Sequence, residues 1–241
     1  MPTRPVQLSR SQRYTLFLLP LTAVILYGIF RSIPGGLATN AASPPFPDPP
    51  LVAATAAPSA PAISEQTAVL AGGCFWGMEA IFQHLKGVSR VESGFSGGTA
   101  ATAHYERVSG GGTDHAEAVK ITYDPAQISY GQLLKVYFSV AHDPTQLNRQ
   151  GPDTGPQYRS EIFFADQQQR QLAQDYIERL NQANVFQQPI VTQIAPLQQF
   201  YPAEPYHQDF IEHHPDYPYV VVHDLPKLEQ LREWFPDLYR Q

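Results

Sequence analysis

Hydrophobic and polar positions in residues 65–241 follow two periods, one typical of strands and one typical of helices. Strict alternation or a short apolar run predicts strands within residues 67–71, 88–95, 115–125, 157–165 and 190–194. Between these runs, apolar residues recur three or four positions apart, which is the spacing of a helix face. The pattern therefore predicts a domain in which strands and helices alternate.

Three helices are predicted between these strands. The first begins near position 74 and ends near Gly87, a residue suited to a helix C-terminus. Ser129 with Gln132 forms a capping box that begins the second, which runs to about position 141, and Asp166 with Gln169 begins the third. The order β-α-β-β-α-β-α-β predicts an α+β fold, a ferredoxin-like split β-α-β sandwich with a C-terminal extension.

The N-terminal residues have a different pattern. An uncharged apolar run at 14–30 follows Arg4, Arg10 and Arg13, and residues 32–85 contain no Lys or Arg. This asymmetry predicts a membrane anchor in residues 1–40 with its N-terminus in the cytoplasm, so that the domain is extracytoplasmic. A cleaved signal peptide is the alternative, since small residues follow the run, and it would leave the domain secreted or periplasmic.

The segment between this anchor and the domain is rich in Ala and Pro. Residues 41–64 are predicted to form a semi-extended linker, because this composition does not bury a core. The folded domain is therefore predicted to span residues 65–241.

The composition of the chain argues against certain partners, disulfide bonds and metal sites. The 241-residue chain has a net charge of −6 and contains one cysteine. The acidic balance argues against nucleic acid as a partner, and a single cysteine excludes a disulfide within the chain. The histidines at 207, 213, 214 and 223 do not have the spacing of a known metal site, so no metal is predicted.

The single cysteine, Cys74, follows Gly72 and Gly73 at the predicted junction of a strand with a helix. Free N–H groups and the positive end of the helix dipole at this place are expected to stabilise a thiolate. A buried, inert cysteine is the alternative interpretation.

A second candidate is Glu117, which alternation places on the same face of its strand as Val119, Ile121 and Tyr123. A carboxyl group in apolar surroundings has a raised pKa and can donate a proton near neutral pH. The alternative is a solvated carboxylate at the end of the strand.

Two further segments have predicted roles. Residues 142–160 form a long polar stretch between a helix and a strand, and such loops are often functional, although a plain surface loop is the alternative. The apolar stretch at 217–225 is predicted to be a C-terminal strand or a segment that packs on the core.

Four sequence blocks carry a resemblance to a known family. They are GCFWG at 73–77, HYERVSGGGTDHAE at 104–117, HDPTQLNRQGPDTGPQYRS at 142–160 and FYPAEPYHQDF at 200–210. In this order they resemble the A-type peptide methionine sulfoxide reductases, enzymes that reverse the oxidation of methionine. The resemblance implies that residues 65–241 are a catalytic domain that repairs oxidised proteins and also accepts free methionine sulfoxide.

The resemblance also implies the roles of four catalytic residues. Cys74 attacks the sulfoxide sulfur, and Glu117 protonates the sulfoxide oxygen. Tyr105 and Tyr158 donate hydrogen bonds to that oxygen as charge develops. The products are methionine and a sulfenic acid on Cys74.

Four substrate-binding residues are implied in the same way. Phe75 and Trp76 receive the methyl group, which favours the S epimer, while Asp153 and His207 line the pocket and place the substrate backbone. No bound cofactor is implied.

The chain departs from the family pattern in its C-terminal region. It lacks the resolving cysteines that many members carry there, so an external thiol must reduce the sulfenic acid. Thioredoxin, glutaredoxin and glutathione are the candidate reductants. Pro152, Pro156 and Phe210 replace the more usual residues near the pocket, which affects substrate affinity more than the chemistry.

Two other classes of function remain as alternatives. One is another single-cysteine thiol enzyme, such as a peroxidase or an acyl transferase. The other is a membrane-tethered protein that binds methionine-rich surfaces without turnover.

Overall fold

The computed structural model describes residues 46–50 and 65–241, both within one compact unit, Asn40–Gln241. The predicted membrane segment at 1–40 lies outside the described residues, as does most of the predicted linker. In the part of the chain that is described, no helix combines the length and the apolar character needed to cross a bilayer.

Eight strands are present in the described residues. They are β1 (Gln66–Gly72), β2 (Val88–Ser96), β3 (Ala116–Tyr123), β4 (Arg149–Gln150), β5 (Asp153–Thr154), β6 (Ser160–Phe164), β7 (Gln193–Pro196) and β8 (Phe200–Pro202).

Six α-helices accompany them. They are α1 (Phe75–Gln83), α2 (Tyr105–Val108), α3 (Tyr130–Val136), α4 (Gln167–Gln182), α5 (Phe210–His213) and α6 (Leu225–Trp234). Short 3-10 turns occur at Ala100–Thr102, Pro156–Tyr158 and Pro205–His207, and π-helical turns at Tyr137–Ala141 and Val220–Asp224.

Six of the strands form one mixed sheet in the order β7-β6-β1-β3-β2-β8, and β4 pairs with β5 in a separate hairpin. Neighbouring strands in the large sheet are antiparallel, except that β6 and β7 are parallel. The predicted α+β class is confirmed. The four central strands have the order β6-β1-β3-β2, in which β3 lies between the two strands that α1 connects, as in a split β-α-β unit.

The main core lies between the helices and one face of this sheet. Strand β3 contributes Val119, Ile121 and Tyr123 to that face, as its alternation predicts, and Ala116 and Ala118 to the opposite face. Glu117 has the parity of the core face and is only 2 % exposed. The fold therefore holds this carboxyl group inside the domain, at the end of β3 that lies beside the start of α1.

The predicted helix starts agree with the structure. Ser129 and Gln132 form both hydrogen bonds of a capping box at α3, and the Asp166 side chain accepts a bond from the Gln169 N–H at α4. Two strand predictions differ from the structure. The strand predicted at 190–194 occupies Gln193–Pro196, and residues 220–224 form a π-helical turn that continues into α6.

The apolar run at 217–225 is misleading because β-branched valines favour strands on average, while tertiary packing decides their conformation. Val220 is buried beside Ala80 of α1 and Ile211 of α5. Pro226 occupies the first turn of α6, where a proline is compatible with a helix. Two features therefore accompany the helical conformation of residues 220–224. One is packing against α1, and the other is the proline in the first turn of α6.

Residues 46–50, which belong to the predicted linker, pack on the domain. Phe46 lies against the rings of Phe186 and Trp234, with centroids 5.7 and 6.3 Å away. The Pro47 carbonyl accepts a 3.0 Å hydrogen bond from the Tyr176 hydroxyl, and Asp48 pairs with Lys135 at 2.7 Å. This part of the linker is therefore attached to the helical layer at α3, α4 and α6.

Replacing Phe46 with alanine is expected to lower the free energy of unfolding by about 1–2 kcal/mol, since a half-buried aromatic side chain is lost. Urea unfolding of the full chain measures this difference. Leu147→Ala is the matched control, because Leu147 is 62 % exposed and its loss should change stability by less than about 0.5 kcal/mol. Equal stability of the two variants would show that the Phe46 contacts do not stabilise the domain.

Candidate active site

The connection between β1 and α1 is a sharp turn made by two glycines. Gly73 has φ = +99°, a backbone conformation that favours glycine, and a Cβ there would lie 2.6 Å from the Gln150 side chain. Cys74 follows as the N-cap residue of α1. The turn therefore places the thiol at the first turn of the helix, as predicted.

The environment of Cys74 differs from the prediction of a stabilised thiolate. Burial raises the pKa of the thiol well above its usual value, and the negative charges of Glu117, Asp224 and Asp153 raise that pKa further. A hydrogen bond from the Trp76 backbone acts in the opposite direction. The prediction that the helix terminus yields a thiolate in the free protein is wrong for this physical reason, and the resting group is a thiol.

Glu117 approaches the same turn from β3. Its Oε2 accepts a 3.0 Å hydrogen bond from the Phe75 backbone N–H, one of the free donors at the start of α1. Burial raises the pKa of Glu117 to about 8, the Phe75 hydrogen bond lowers it, and Asp153 raises it. The carboxyl group is therefore protonated at neutral pH, in agreement with the expectation from the strand pattern.

Cys74 and Glu117 open into a cavity of about 180 Å³. Its wall is mainly aromatic, with two carboxyl groups and the thiol. The lining residues are Cys74, Phe75, Trp76, Tyr105, Glu117, Asp153, Tyr158, Tyr217 and Tyr219. Seven of the eight residues predicted for the site therefore meet at one cavity, and His207 is the exception.

Two predicted tyrosines reach the cavity from separate elements. Tyr105 begins α2, and its N–H is held by the Glu204 carboxylate at 3.0 Å. Tyr158 ends the 3-10 turn Pro156–Tyr158 in the long polar loop. Burial is the main cause that raises the pKa of Tyr105 to about 12 and also the pKa of Tyr158, so both hydroxyls carry a proton to donate.

Asp153 lies on the short strand β5 and accepts a hydrogen bond from the Tyr219 hydroxyl. The loop at 142–160, which was predicted to be functional, therefore supplies both Asp153 and Tyr158 to the cavity. Pro152 and Pro156 flank Asp153 in this loop, and both Asp153 and Tyr158 still line the cavity.

His207 is 3 % exposed and lies behind the cavity wall. Its Nδ1 accepts a 3.1 Å hydrogen bond from the Trp76 indole N–H, and its ring centroid lies 4.1 Å from that of Tyr105. Burial lowers the pKa of His207, so the ring is neutral. The structure therefore places His207 as a support for Trp76 and Tyr105, not as part of the cavity lining.

The indole of Trp76 is fixed on its other side by Phe210, whose ring is stacked on it at 3.7 Å and 6°. The segment before Phe210 is attached to α1, because the Asp209 N–H donates a 3.0 Å bond to the buried carboxyl group of Glu79. Phe210 thus supports Trp76 by ring stacking. This contact does not require a hydroxyl group on the ring.

Tyr217, Tyr219 and Asp224 were not predicted as functional residues. The two tyrosines line the cavity, and Asp224 is 1 % exposed, with neither side-chain oxygen hydrogen-bonded within the described residues. A Cβ on Gly77 would lie 2.2 Å from Asp224 Oδ1, so the last glycine of GCFWG makes room for this carboxyl group. The sequence contains a signal for these residues, because two tyrosines lie within an apolar run. The run was predicted to be a strand or a packing segment, so the tyrosines were not considered as site residues.

The arrangement can hold a small polar group between a thiol, a protonated carboxyl group and two phenols, in a space enclosed by aromatic rings. Among residues 46–50 and 65–241, no three His, Cys, Asp or Glu side chains are grouped as metal ligands. The donors and acceptors that face the cavity are thus the chain's own acids, phenols and thiol.

Comparisons with known proteins agree with this chemistry. The family model described as peptide methionine sulfoxide reductase matches residues 66–238. A peptide methionine sulfoxide reductase MsrA 2 of Synechocystis is 59% identical over 172 residues, which are 71% of this chain and 80% of that protein. The MsrA 2 of Mesorhizobium japonicum is 57% identical over 176 residues, covering 73% of this chain and 90% of that protein.

A solved structure shows the same relationship in three dimensions. Methionine sulfoxide reductase A of Corynebacterium diphtheriae is 34% identical, with a TM-score of 0.54, and the match covers 71% of this chain and 85% of that one. The family model spans nearly the whole predicted catalytic domain, including the cavity and all four sequence blocks. The chain belongs to the peptide methionine sulfoxide reductases of the A type.

Proposed function

We propose that this chain reduces the S epimer of methionine sulfoxide, in proteins and as the free amino acid, with Cys74 as nucleophile and Glu117 as acid. The observation that carries the proposal is the pairing of a half-buried thiol with a buried, protonated carboxyl group in one aromatic cavity. A sulfoxide is a weak electrophile with a poor leaving oxygen, so its reduction requires both an attacking sulfur and a proton donor.

In the first step, the Cys74 sulfur donates an electron pair to the sulfoxide sulfur while Glu117 transfers its proton to the oxygen. The hydroxyl group then moves to the Cys74 sulfur while the sulfur–oxygen bond of the substrate and the transient sulfur–sulfur bond break, which leaves methionine and a sulfenic acid on Cys74. The thiol proton replaces the proton that Glu117 donated, so atoms and charge balance. Cys74 is oxidised by two electrons, and the substrate becomes methionine.

The phenols of Tyr105 and Tyr158 donate hydrogen bonds to the oxygen as its charge grows. Their raised pKa values support this role, because each phenol remains protonated throughout the pH range in which the thiol reacts. Donors that are already in place stabilise developing charge without a cost of reorganisation.

Phe75 and Trp76 receive the methyl group, and Asp153 accepts a hydrogen bond from the substrate backbone. His207 acts through Trp76, since it accepts the indole N–H bond and holds the plane of the ring. A fixed methyl-binding surface on one side and the oxygen donors on the other allow only one configuration at sulfur, which is the basis of selectivity for the S epimer.

An external thiol then regenerates the enzyme, because Cys74 is the only cysteine of the chain. The first external thiol displaces water from the sulfenic acid and forms a mixed disulfide, and a second thiol releases Cys74. Thioredoxin, glutaredoxin and glutathione all supply this chemistry, and no bound cofactor takes part in it.

A single-turnover experiment tests the proposal. The pre-reduced chain, freed of small thiols, is mixed with each epimer of a blocked methionine sulfoxide. We expect about one equivalent of methionine from the S epimer, none from the R epimer, and a protein mass increased by one oxygen. Addition of a dithiol should then give many turnovers.

Cys74→Ser is the matched control, and it should release no methionine because the chain has no other thiol. Methionine release by this variant would overturn the assignment of the nucleophile. If the unmodified chain bound the blocked methionine sulfoxide but released no methionine, the alternative of a protein that recognises methionine-rich surfaces would be favoured. A reaction with peroxide or with an acyl donor in place of the sulfoxide would favour another thiol enzyme.

Glu117→Gln should slow sulfenic acid formation by roughly 10²–10⁴-fold, because the amide keeps the shape of the side chain but carries no acidic proton. Rapid mixing followed by acid quench measures the single-turnover rate. A decrease of less than tenfold would mean that water or a tyrosine supplies the proton.

The pH profile provides a second measurement of the same role. Glu117 holds its proton below its pKa of about 8 and loses it above that value, so the single-turnover rate should fall as pH rises through 8. The Glu117→Gln profile should lack this decrease, since its amide does not titrate. A decrease of the same size in both proteins would assign the titration to another group.

For residues 1–40, we propose a retained membrane anchor that places the catalytic domain outside the cytoplasm. The supporting feature is the sequence itself, with arginines before the apolar run and none between residues 32 and 85. The full chain should remain in membranes washed at alkaline pH, whereas a chain that begins at residue 41 should be released. A shortened, released product from the full chain would identify the run as a cleaved signal.

A further inference from the structure

The aromatic wall of the cavity has the geometry of a box. The rings of Tyr217 and Tyr219 stand nearly perpendicular to the indole of Trp76, at 89° and 85°, with centroids 6.1 and 6.2 Å from it. Phe75 and Tyr105 close another side, with ring centroids 6.2 Å apart. All five rings line the cavity of about 180 Å³, which has room for more than one methyl group.

The charges at the box are of one sign. Among the described residues that line the cavity, none is Lys, Arg or His, while Asp153 and Glu117 both face it. Asp224 lies buried beyond Cys74, and these three carboxyl groups all raise the pKa of the thiol. Lys227 is 3.9 Å from Asp224 and is not part of the lining. Since Glu117 is protonated at neutral pH, Asp153 supplies the negative charge that faces the box, with Asp224 buried beyond Cys74.

Aromatic faces combined with nearby carboxylates are the elements that bind methylated cations in proteins, since the ring quadrupoles and the anions both attract the charge. From this geometry we infer that the cavity is a binding site for small methylated onium groups, namely dimethylsulfonium and quaternary ammonium groups. Such ligands compete with the sulfoxide and are not reduced, because they carry no oxygen.

The inference rests on the proposed function, which it deepens. As Glu117 transfers its proton to the sulfoxide oxygen, the substrate gains hydroxysulfonium character, with a methyl group and developing positive charge on sulfur. A dimethylsulfonium group has the same charge at the same atom. A box that stabilises the protonated substrate therefore also binds the stable cation, and its aromatic rings contribute to catalysis through charge as well as shape.

The affinity for the cation should therefore depend on pH in the direction opposite to that of turnover. Loss of the Glu117 proton above pH 8 adds a negative charge to the wall, so affinity for the cation should increase while turnover decreases. The groups that act on Glu117 from the packed elements are Cys74 at the N-cap of α1, Tyr105 of α2, Asp153 of β5 and Tyr158 of its 3-10 turn. In the C-terminal segment, Tyr219 lines the same cavity and Asp224 acts on Cys74. On β3's own side, His115 bonds with the Gly98 N–H and the Thr99 carbonyl.

The test uses two blocked amino acids of equal shape. One is N-acetyl-S-methylmethionine N-methylamide, which carries a dimethylsulfonium group, and the other has a C–H group in place of the cationic sulfur. Each is measured as a competitive inhibitor of dithiol-dependent sulfoxide reduction by the full chain. The cation is expected to have an inhibition constant at least tenfold lower than that of the neutral analogue, and this ratio should grow between pH 7 and pH 9.

Variants of the box then separate charge recognition from general apolar contact. Tyr217→Leu and Tyr219→Leu should each reduce the preference for the cation at least threefold, and Tyr219→Phe should retain most of it because the ring remains. Tyr206→Leu is the matched control, since Tyr206 is 61 % exposed and does not line the cavity. Its preference should be unchanged.

Equal inhibition by the cation and its neutral analogue would overturn the inference, as would a preference that the leucine variants leave unchanged. Sulfoxide turnover without inhibitor, measured in the same assay, reports on the proposed function separately. Without turnover, titration calorimetry with the same two compounds still decides whether the box prefers the cation.

Discussion

The hydrogen bond from the Phe75 N–H to the Glu117 carboxyl group joins the two parts of the fold on which the chemistry depends. It connects the end of β3 to the start of α1, 42 positions earlier in the chain, and it lies in the interior. Without this donor, the buried carboxyl group would lose the one backbone partner that favours its charged form. The bond therefore limits how high the pKa of the acid rises and also fixes the acid beside the thiol.

Burial of this pair has consequences for the whole reaction. The same desolvation that keeps Glu117 protonated also keeps Cys74 a thiol, so the free enzyme stores both protons and avoids a reactive thiolate. In the proposed reaction, Cys74 becomes a nucleophile only when a sulfoxide is present to accept a proton. Aromatic rings line the cavity beside this pair, and the indole of Trp76 among them is held by His207 and Phe210.

Local signals in the sequence were sufficient for much of the fold and for the positions of Cys74 and Glu117, while the resemblance to the family supplied Tyr105, Tyr158 and Asp153. The alternation of β3 placed Glu117 on the inner face, the capping residues located α3 and α4, and the two glycines located the turn before Cys74. Such signals are readable because residues close to one another in the sequence set the local conformation. For the stretch at 217–225, the alternative of a segment that packs on the core is confirmed by the buried Val220, and the alternative of a strand is wrong. Its valines suit a strand, but the segment is helical where it contacts α1, and its Tyr217 and Tyr219 line the cavity.

By itself, the sequence determined the family and the α+β class and pointed to Cys74 and Glu117 as candidates, because motif order and alternation are local properties of the chain. The tertiary structure decided the ionisation of Cys74, since the carboxyl groups that oppose its thiolate come from residues 117, 153 and 224. It also places His207 behind Trp76, whereas the sequence predicted it in the lining, and it packs residues 46–50 on the helices. These properties depend on distances between segments far apart in the chain, and folding alone sets those distances.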